Sequence, residues 1–228
     1  MTPDLPAQWA WHTVQQIARV VTGSTPSTQE ARFWNGPVPF VTPTDLGTAS
    51  VVQRTGRTLS EEGARQGRLL PARSVLVTCI ASIGKNGIAR VPCCTNQQIN
   101  ALVCNEAAWP EYIYFALSAR SSELQKLAGT TAVSIVSKGK FEQFQLPLPP
   151  LPEQRKIAAI LSSVDDAIES TQAVIDQLGV VKTAMMAELI CWRMASCGMV
   201  WSLARLPTWI FSQPGLVQRR SSGLLSAS

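Results

Sequence analysis

Apolar positions along this chain change their period once, near its proline-rich middle. Up to Pro150 they come in short alternating or continuous runs interrupted by Gly and Pro, which suits strands and brief helices. Beyond it Ile157, Leu161, Val164, Ile168, Thr171, Ile175, Leu178, Lys182, Met185 and Leu189 stand alternately four and three residues apart. That is a heptad seam with two polar members, Thr171 and Lys182, and it predicts one long helix over Glu153–Ile190, roughly 57 Å at ~1.5 Å per residue. Such a stripe cannot be buried on its own helix and needs a second one. Pro147, Pro149, Pro150 and Pro152 mark the boundary, since proline fixes φ and has no N–H to give a ladder or a helix interior.

The earlier part predicts an α+β domain over residues 1–150. Leu5–Val21 suits an opening strand or short helix. Gly23–Gly47 is punctuated by Gly and Pro and predicts loop, with a strand at Pro39–Thr42 and Asp45 bonding nearby backbone amides. Ser60-Glu61-Glu62 is a helix-start signal, a capping serine followed by first-turn acids. Ser74–Ala81 is a β-branched run that predicts a buried strand; Lys85-Asn86-Gly87 predicts a tight hairpin, with Ile88–Val91 returning. Ile99–Cys104 predicts another strand and Trp109–Arg120 an amphipathic helix opened by Pro110. Gly129–Lys140 predicts a loop with a short strand, and Phe141–Leu148 a last strand. Strands and helices interleave without a regular βαβ period. Residues 191–228 hold Trp192, Trp201 and Trp209, no acid and no clear period, and predict an irregular tail.

Composition narrows the class. Of 228 residues 46% are hydrophobic and 15% charged, a foldable chain. Charge is uneven: 13 Lys/Arg against 9 Asp/Glu in residues 1–150, 3 against 6 in 151–190, and 4 against none in 191–228. A mildly basic globule followed by an acidic helix is compatible with nucleic-acid contact through the globule. Cys79, Cys93, Cys94, Cys104, Cys191 and Cys197 form no C-x-x-C pair and the single histidine, His12, is remote from them, which argues against zinc. No secretory pattern and no apolar run long enough to span a bilayer is present, so a cytoplasmic chain with reduced thiols and no membrane partner is expected.

Catalysis finds little support. The lone His12 lies beside Trp11 in a segment that reads as core, no phosphate-binding glycine loop follows a strand, and Asp165-Asp166 suits a solvated helix face. For DNA the residue types are at hand: Arg and Lys position phosphates, and Arg, Asn and Gln can make paired hydrogen bonds to purine edges. Candidates are Arg54, Arg57, Arg65 and Arg68 in the arginine-rich segment, Lys85 and Asn86 at the expected hairpin tip, Gln97 and Gln98, and Ser134, Lys138 and Lys140. Each has an ordinary reading as a solvated surface or turn residue.

Four segments together resemble the DNA-specificity subunit of type I restriction–modification systems. They are LPAQWAWHTVQQIARVVTGSTPST, FWNGPVPFVTPTDL, TNQQINAL and GTTAVSIVSKGKFEQFQLPLPPLPEQRKIAAILSSVDDAI, the last being the most specific, and they cover residues 5–190. The resemblance implies a target-recognition domain over 1–150, a spacer helix over 151–190 and a tail, 191–228, that takes no part. It implies double-stranded DNA as ligand and no cofactor on this chain, S-adenosylmethionine being held by a partner methyltransferase subunit, with a restriction subunit as a further partner. Two recognition domains per subunit are usual in that family and one is legible here, so the helix seam (Ile157, Leu161, Val164, Ile168, Ile175, Leu178, Met185, Leu189) is expected to pair with a second copy or another specificity subunit. The alternatives are a truncated remnant that still pairs but no longer reads DNA, and a methylase–specificity fusion, for which an Asn-Pro-Pro-aromatic or Asp-Pro-Pro-aromatic motif is absent.

Overall fold

The computed structural model describes residues 5–47, 50–129 and 133–196. The chain is α+β, with β1 (Ala10–Thr13), α1 (Val14–Ile17) and β2 (Ala18–Thr22) at its start. There follow β3 (Trp34–Val41), β4 (Val51–Val52), β5 (Arg57–Leu59) and α2 (Glu61–Gln66). Next come β6 (Val75–Thr78), β7 (Asn86–Ala89), β8 (Cys94–Thr95), β9 (Ile99–Cys104), α3 (Pro110–Ala119) and α4 (Ser121–Lys126). The series ends with α5 (Lys138–Glu142), β10 (Gln145–Leu148) and the 46-residue helix α6 (Leu151–Ser196). Chain contacts divide it into one compact unit through Glu169 and a second from Ser170 on.

The central sheet has the strand order β2-β9-β6-β7-β4, mixed in direction: β6 pairs antiparallel with β7 and β9, and β4 runs parallel to β7. All of β6 is buried because both faces of the sheet are covered. Successive side chains point to opposite faces. Val75 and Val77 therefore pack with Leu102, Ile113, Leu117 and Phe141, while Leu76 packs with Ala101, Leu46 and Leu70. Burying a side chain of this kind contributes roughly 1.5–3 kcal/mol. A three-stranded sheet, β5-β3-β8, encloses its own small core of Phe40, Leu59, Ala64 and Cys94. β1 and β10 pair antiparallel, so the start of the chain is stitched to the strand that leads into α6.

Several expectations meet the structure directly. Ser60 caps α2, its Oγ accepting from Gly63 N at 3.0 Å. Asp45 accepts from Thr42 N at 2.8 Å and Gly56 N at 3.1 Å. β9 and α3 lie within one residue of their expected bounds.

Others are corrected. Asn86-Gly87 is not a hairpin tip: both residues lie inside β7, paired with Val77 and Leu76, and the chain reverses before them. Asn86 is buried, its Nδ2 donating to Tyr114 O at 2.9 Å and its Oδ1 accepting from Ser118 Oγ at 3.1 Å. A tertiary tie to α3 thus overrides a local turn preference. β3 begins at Trp34, well before Pro39. Pro39 is tolerated because only β5 lies alongside it; β8 pairs with Phe40 and Val41 alone. The expected loop and strand around Lys138–Phe141 are instead the helix α5, capped by Ser137. α6 starts at Leu151, with Pro152 in its first turn where a missing N–H costs nothing, and continues to Ser196. The rest of the expected tail, from Cys197 on, lies outside the described residues.

Four thiols sit inside the first unit. Burial pushes Cys79 up to about 11 and Cys93 up to about 12, the neighbouring Cys94 adding to the latter. A thiol whose pKa is raised on folding supplies stability that is intact below the unfolded value, near 9, and is lost as pH climbs towards 11–12. Peptide mapping after treatment with a thiol reagent at pH 8 is therefore expected to find Cys79 and Cys93 unmodified in the native chain. It should find them fully modified after denaturation, with a melting temperature that falls above pH 9. Rapid native labelling of Cys79 would contradict this.

Candidate nucleic-acid interface

The residues singled out for DNA fall into three groups. The largest belongs to the three-stranded sheet and its connections. Arg57 lies on β5, its guanidinium carbon 3.8 Å from the ring centroid of Trp34 and 5.8 Å from that of Phe40. Arg54 precedes it on an exposed loop that Asp45 braces through Gly56 N. Arg65 is on α2, loosely paired with Glu61 at 4.0 Å. On the β8 side, Gln97 Oε1 accepts from Thr25 Oγ1 at 2.7 Å, and Gln98 Oε1 accepts from Asn96 Nδ2 at 2.9 Å. Arg68 donates to Thr22 O at 2.6 Å, on the segment that Ser24 N ties to Thr95 O.

The second group is Lys85 and Asn86. Lys85 is exposed and lines a cleft of about 340 Å³ together with Tyr114, Ser118, Asp165 and Glu169. Burial, then the negative charge of Asp165, pushes the Tyr114 phenol up. Asn86 contributes its side chain to the β7–α3 tie described above, so its amide serves the fold. The third group surrounds α5. Lys138 pairs with Glu142 at 3.5 Å, Lys140 Nζ donates to Leu127 O at 3.2 Å, and Ser134 accepts from Ala81 N through its carbonyl.

Two features of the first group were not read from the sequence. Trp34 supports Arg57 although the two are far apart in the chain; the β3–β5 register brings them together. Asn35 holds φ +62° in a bulge where the register jumps between Trp34 and Val38. The FWNG segment signals a turn, and the bulge is its structural form. Gly36 has to be glycine there, since a Cβ would approach Ser60 Cα to 2.4 Å. Among the described residues no group of three or more His, Cys, Asp or Glu could hold a metal, and no helix is long and apolar enough to cross a membrane.

Residues 6–179 match the family model described as a type I restriction modification DNA specificity domain. The chain belongs to that family. The domain matched is one of specificity, not of catalysis. The chain is 30% identical over 172 residues to the type I restriction enzyme MjaIX specificity subunit of Methanocaldococcus jannaschii, covering 73% of this chain and 40% of the relative. It is 30% identical over 169 residues to the EcoR124I/EcoR124II specificity subunit of Escherichia coli, covering 70% and 42%. The crystal structure of the HsdS subunit from Thermoanaerobacter tengcongensis superposes with a TM-score of 0.59 at 22% identity, covering 74% of this chain and 40% of that one, which shows a shared fold. The chain thus spans about 40% of the length of these specificity subunits.

Proposed function

We propose that this chain is a non-catalytic DNA-recognition subunit of a type I restriction–modification system. Its first unit reads one half of a bipartite duplex site, and it directs a methyltransferase subunit, and with it a restriction subunit, to that site. The match of the specificity-domain model to residues 6–179 carries this reading. The exposed cations of the β5–β3–β8 region support it, because phosphate neutralisation supplies most of the sequence-independent part of DNA affinity. S-adenosylmethionine chemistry would reside on the methyltransferase. The exposed seam of α6 would pair with a second copy, so that two half-sites lie on either side of a spacer.

The test is duplex binding by the full chain together with its methyltransferase subunit, measured against salt. Arg54 and Lys85 are exposed, and no ion pair engages them among the described residues. Reversing both (R54E with K85E) is expected to weaken binding and to flatten the log–log salt slope by about 2, roughly 0.9 per phosphate contact removed. Unchanged affinity and slope would reassign the two residues to plain solvated surface. A chain that pairs through its helix and still binds no duplex would be a remnant that has lost DNA reading.

A further inference from the structure

We propose that Arg57 is a base-reading residue that recognises a guanine, with Trp34 holding its guanidinium in place. This rests on the DNA-recognition reading above and adds one residue and one base to it.

Three other arginines stacked on aromatic rings also pair with a carboxylate: Arg32 over Phe33 with Glu30, Arg73 over Trp109 with Glu111, and Arg120 over Trp11 with Glu123. Their charge is spent within the fold. Arg155 stacks on the ring that Arg73 already occupies, at the start of α6. Arg57 lies over Trp34, with the Phe40 ring perpendicular to that of Trp34 and 5.8 Å from the guanidinium carbon, and it has no ion pair among the described residues. A guanidinium packed by its face keeps its N–H edge for hydrogen bonds and loses little further freedom on binding.

The surroundings favour a base over a phosphate. Arg57 lines a cleft of about 370 Å³ with Trp34, Asn35, Gly56, Thr28 and Thr58, and it is the only charged residue among them. A phosphate accepts only, so its contacts need donors alone, and its strongest sites gather several cations or a row of backbone amides. A single planar cation edged by an amide and hydroxyls instead matches the mixed acceptor and donor pattern of a base-pair edge. There, O6 and N7 of guanine accept two hydrogen bonds from one arginine. The strand carrying Arg57 is braced: Gly56 N donates to Asp45 Oδ1 at 3.1 Å, Thr55 Oγ1 donates to Arg57 O, and the Asn35 bulge is fixed by Gly36 against Ser60. Rigid support of this kind is what a residue reading a base edge needs.

The experiment is selection from duplexes with randomised positions by the full chain assembled with its methyltransferase subunit. The wild-type motif should contain a fixed guanine that R57K, which keeps the charge but not the fork, relaxes by roughly 5- to 150-fold, leaving the other positions unchanged. R57Q should move that one position towards adenine, since glutamine pairs with N6 and N7 of adenine. If R57K and R57Q keep the wild-type motif and only lose affinity uniformly, Arg57 is a phosphate anchor and the proposal falls while DNA recognition stands. If the wild-type chain selects no motif, both fall. R57K keeps the positive charge on an exposed position, so it decides the matter even if R57Q folds poorly.

Discussion

Replacing Gln154 by alanine is expected to lower the unfolding free energy of the full chain by about 2–4 kcal/mol and to free the first turns of α6. Gln154 is 1% exposed. Its Oε1 accepts from Trp109 N at 2.8 Å, and its Nε2 donates to Ala107 O and Pro149 O, both at 2.9 Å. One amide therefore satisfies three backbone groups on two segments, three of the four bonds it can make. Truncation would leave those groups unpaired at a buried junction, each costing roughly 1–3 kcal/mol less whatever water recovers. Neighbouring contacts depend on the same placement: Arg155 stacks on Trp109 at 4.6 Å, Trp9 Nε1 donates to Glu153 at 3.2 Å, and Ala158 is buried in the main core. Chemical denaturation reads the energy, and faster hydrogen exchange at residues 107–109 and 151–158 reads the release. A loss under half a kcal/mol, with exchange unchanged, would mean that the lock is dispensable.

The isosteric Q154E separates hydrogen bonding from packing. A carboxylate can still accept from Trp109 N, but it cannot donate to Ala107 O or Pro149 O. Burial and those carbonyls favour the protonated acid and raise its folded pKa above the ordinary glutamate value of about 4.3. With the folded pKa above the unfolded one, stability is retained at low pH and lost as pH rises through the folded value. Relative to wild type, Q154E should therefore weaken steadily above about pH 4. A pH-independent difference would point to shape alone.

What could be read in advance was whatever local chemistry or period decides. The α6 repeat, the Ser60 cap, the β-branched β6 and the Pro110 start of α3 each carry their cause within a few residues. What could not be read depends on distant partners. Asn-Gly prefers a turn in isolation, yet Asn86 gains two hydrogen bonds from α3 by lying in a strand. The prolines of β3 disguise a strand that has a neighbour on one side only at Pro39. Gln154 lies in the most recognisable motif of the chain, but its role needs Ala107 and Trp109, which sequence distance hides. The site shows the same division. Arg57 could be nominated by type, while its distinction from Arg54 or Arg65 comes from Trp34 across the β3–β5 pairing.

The 228-residue chain at tens of micromolar is expected to sediment as a dimer, and I168K with I175K to return it to monomer without shifting unfolding of the first unit. Leu161, Val164, Ile168, Ile175, Leu178, Met185 and Leu189 are between 37% and 63% exposed, and Ile160, Val174 and Val181 widen the stripe on one flank. So continuous an apolar face on a charged helix marks an interaction surface. Burying these half-exposed side chains would contribute part of the roughly 1.5–3 kcal/mol that full burial of each is worth, set against the cost of association and side-chain ordering. Two lysines per helix would place four charges in the seam, enough to weaken pairing by at least about 100-fold. The polar member Lys182 argues for direction. Parallel, in-register pairing sets Lys182 beside its own copy. Antiparallel pairing centred between Thr171 and Ile175 sets it opposite Val164, next to Asp165 and Asp166 of the other helix. K182E is thus expected to weaken an antiparallel dimer by bringing glutamate to those aspartates, whereas a parallel dimer would exchange one like-charge pair for another and stay nearly unchanged. Sedimentation of K182E alone, and mixed with a D165K/D166K chain that should restore pairing, decides between the two orientations.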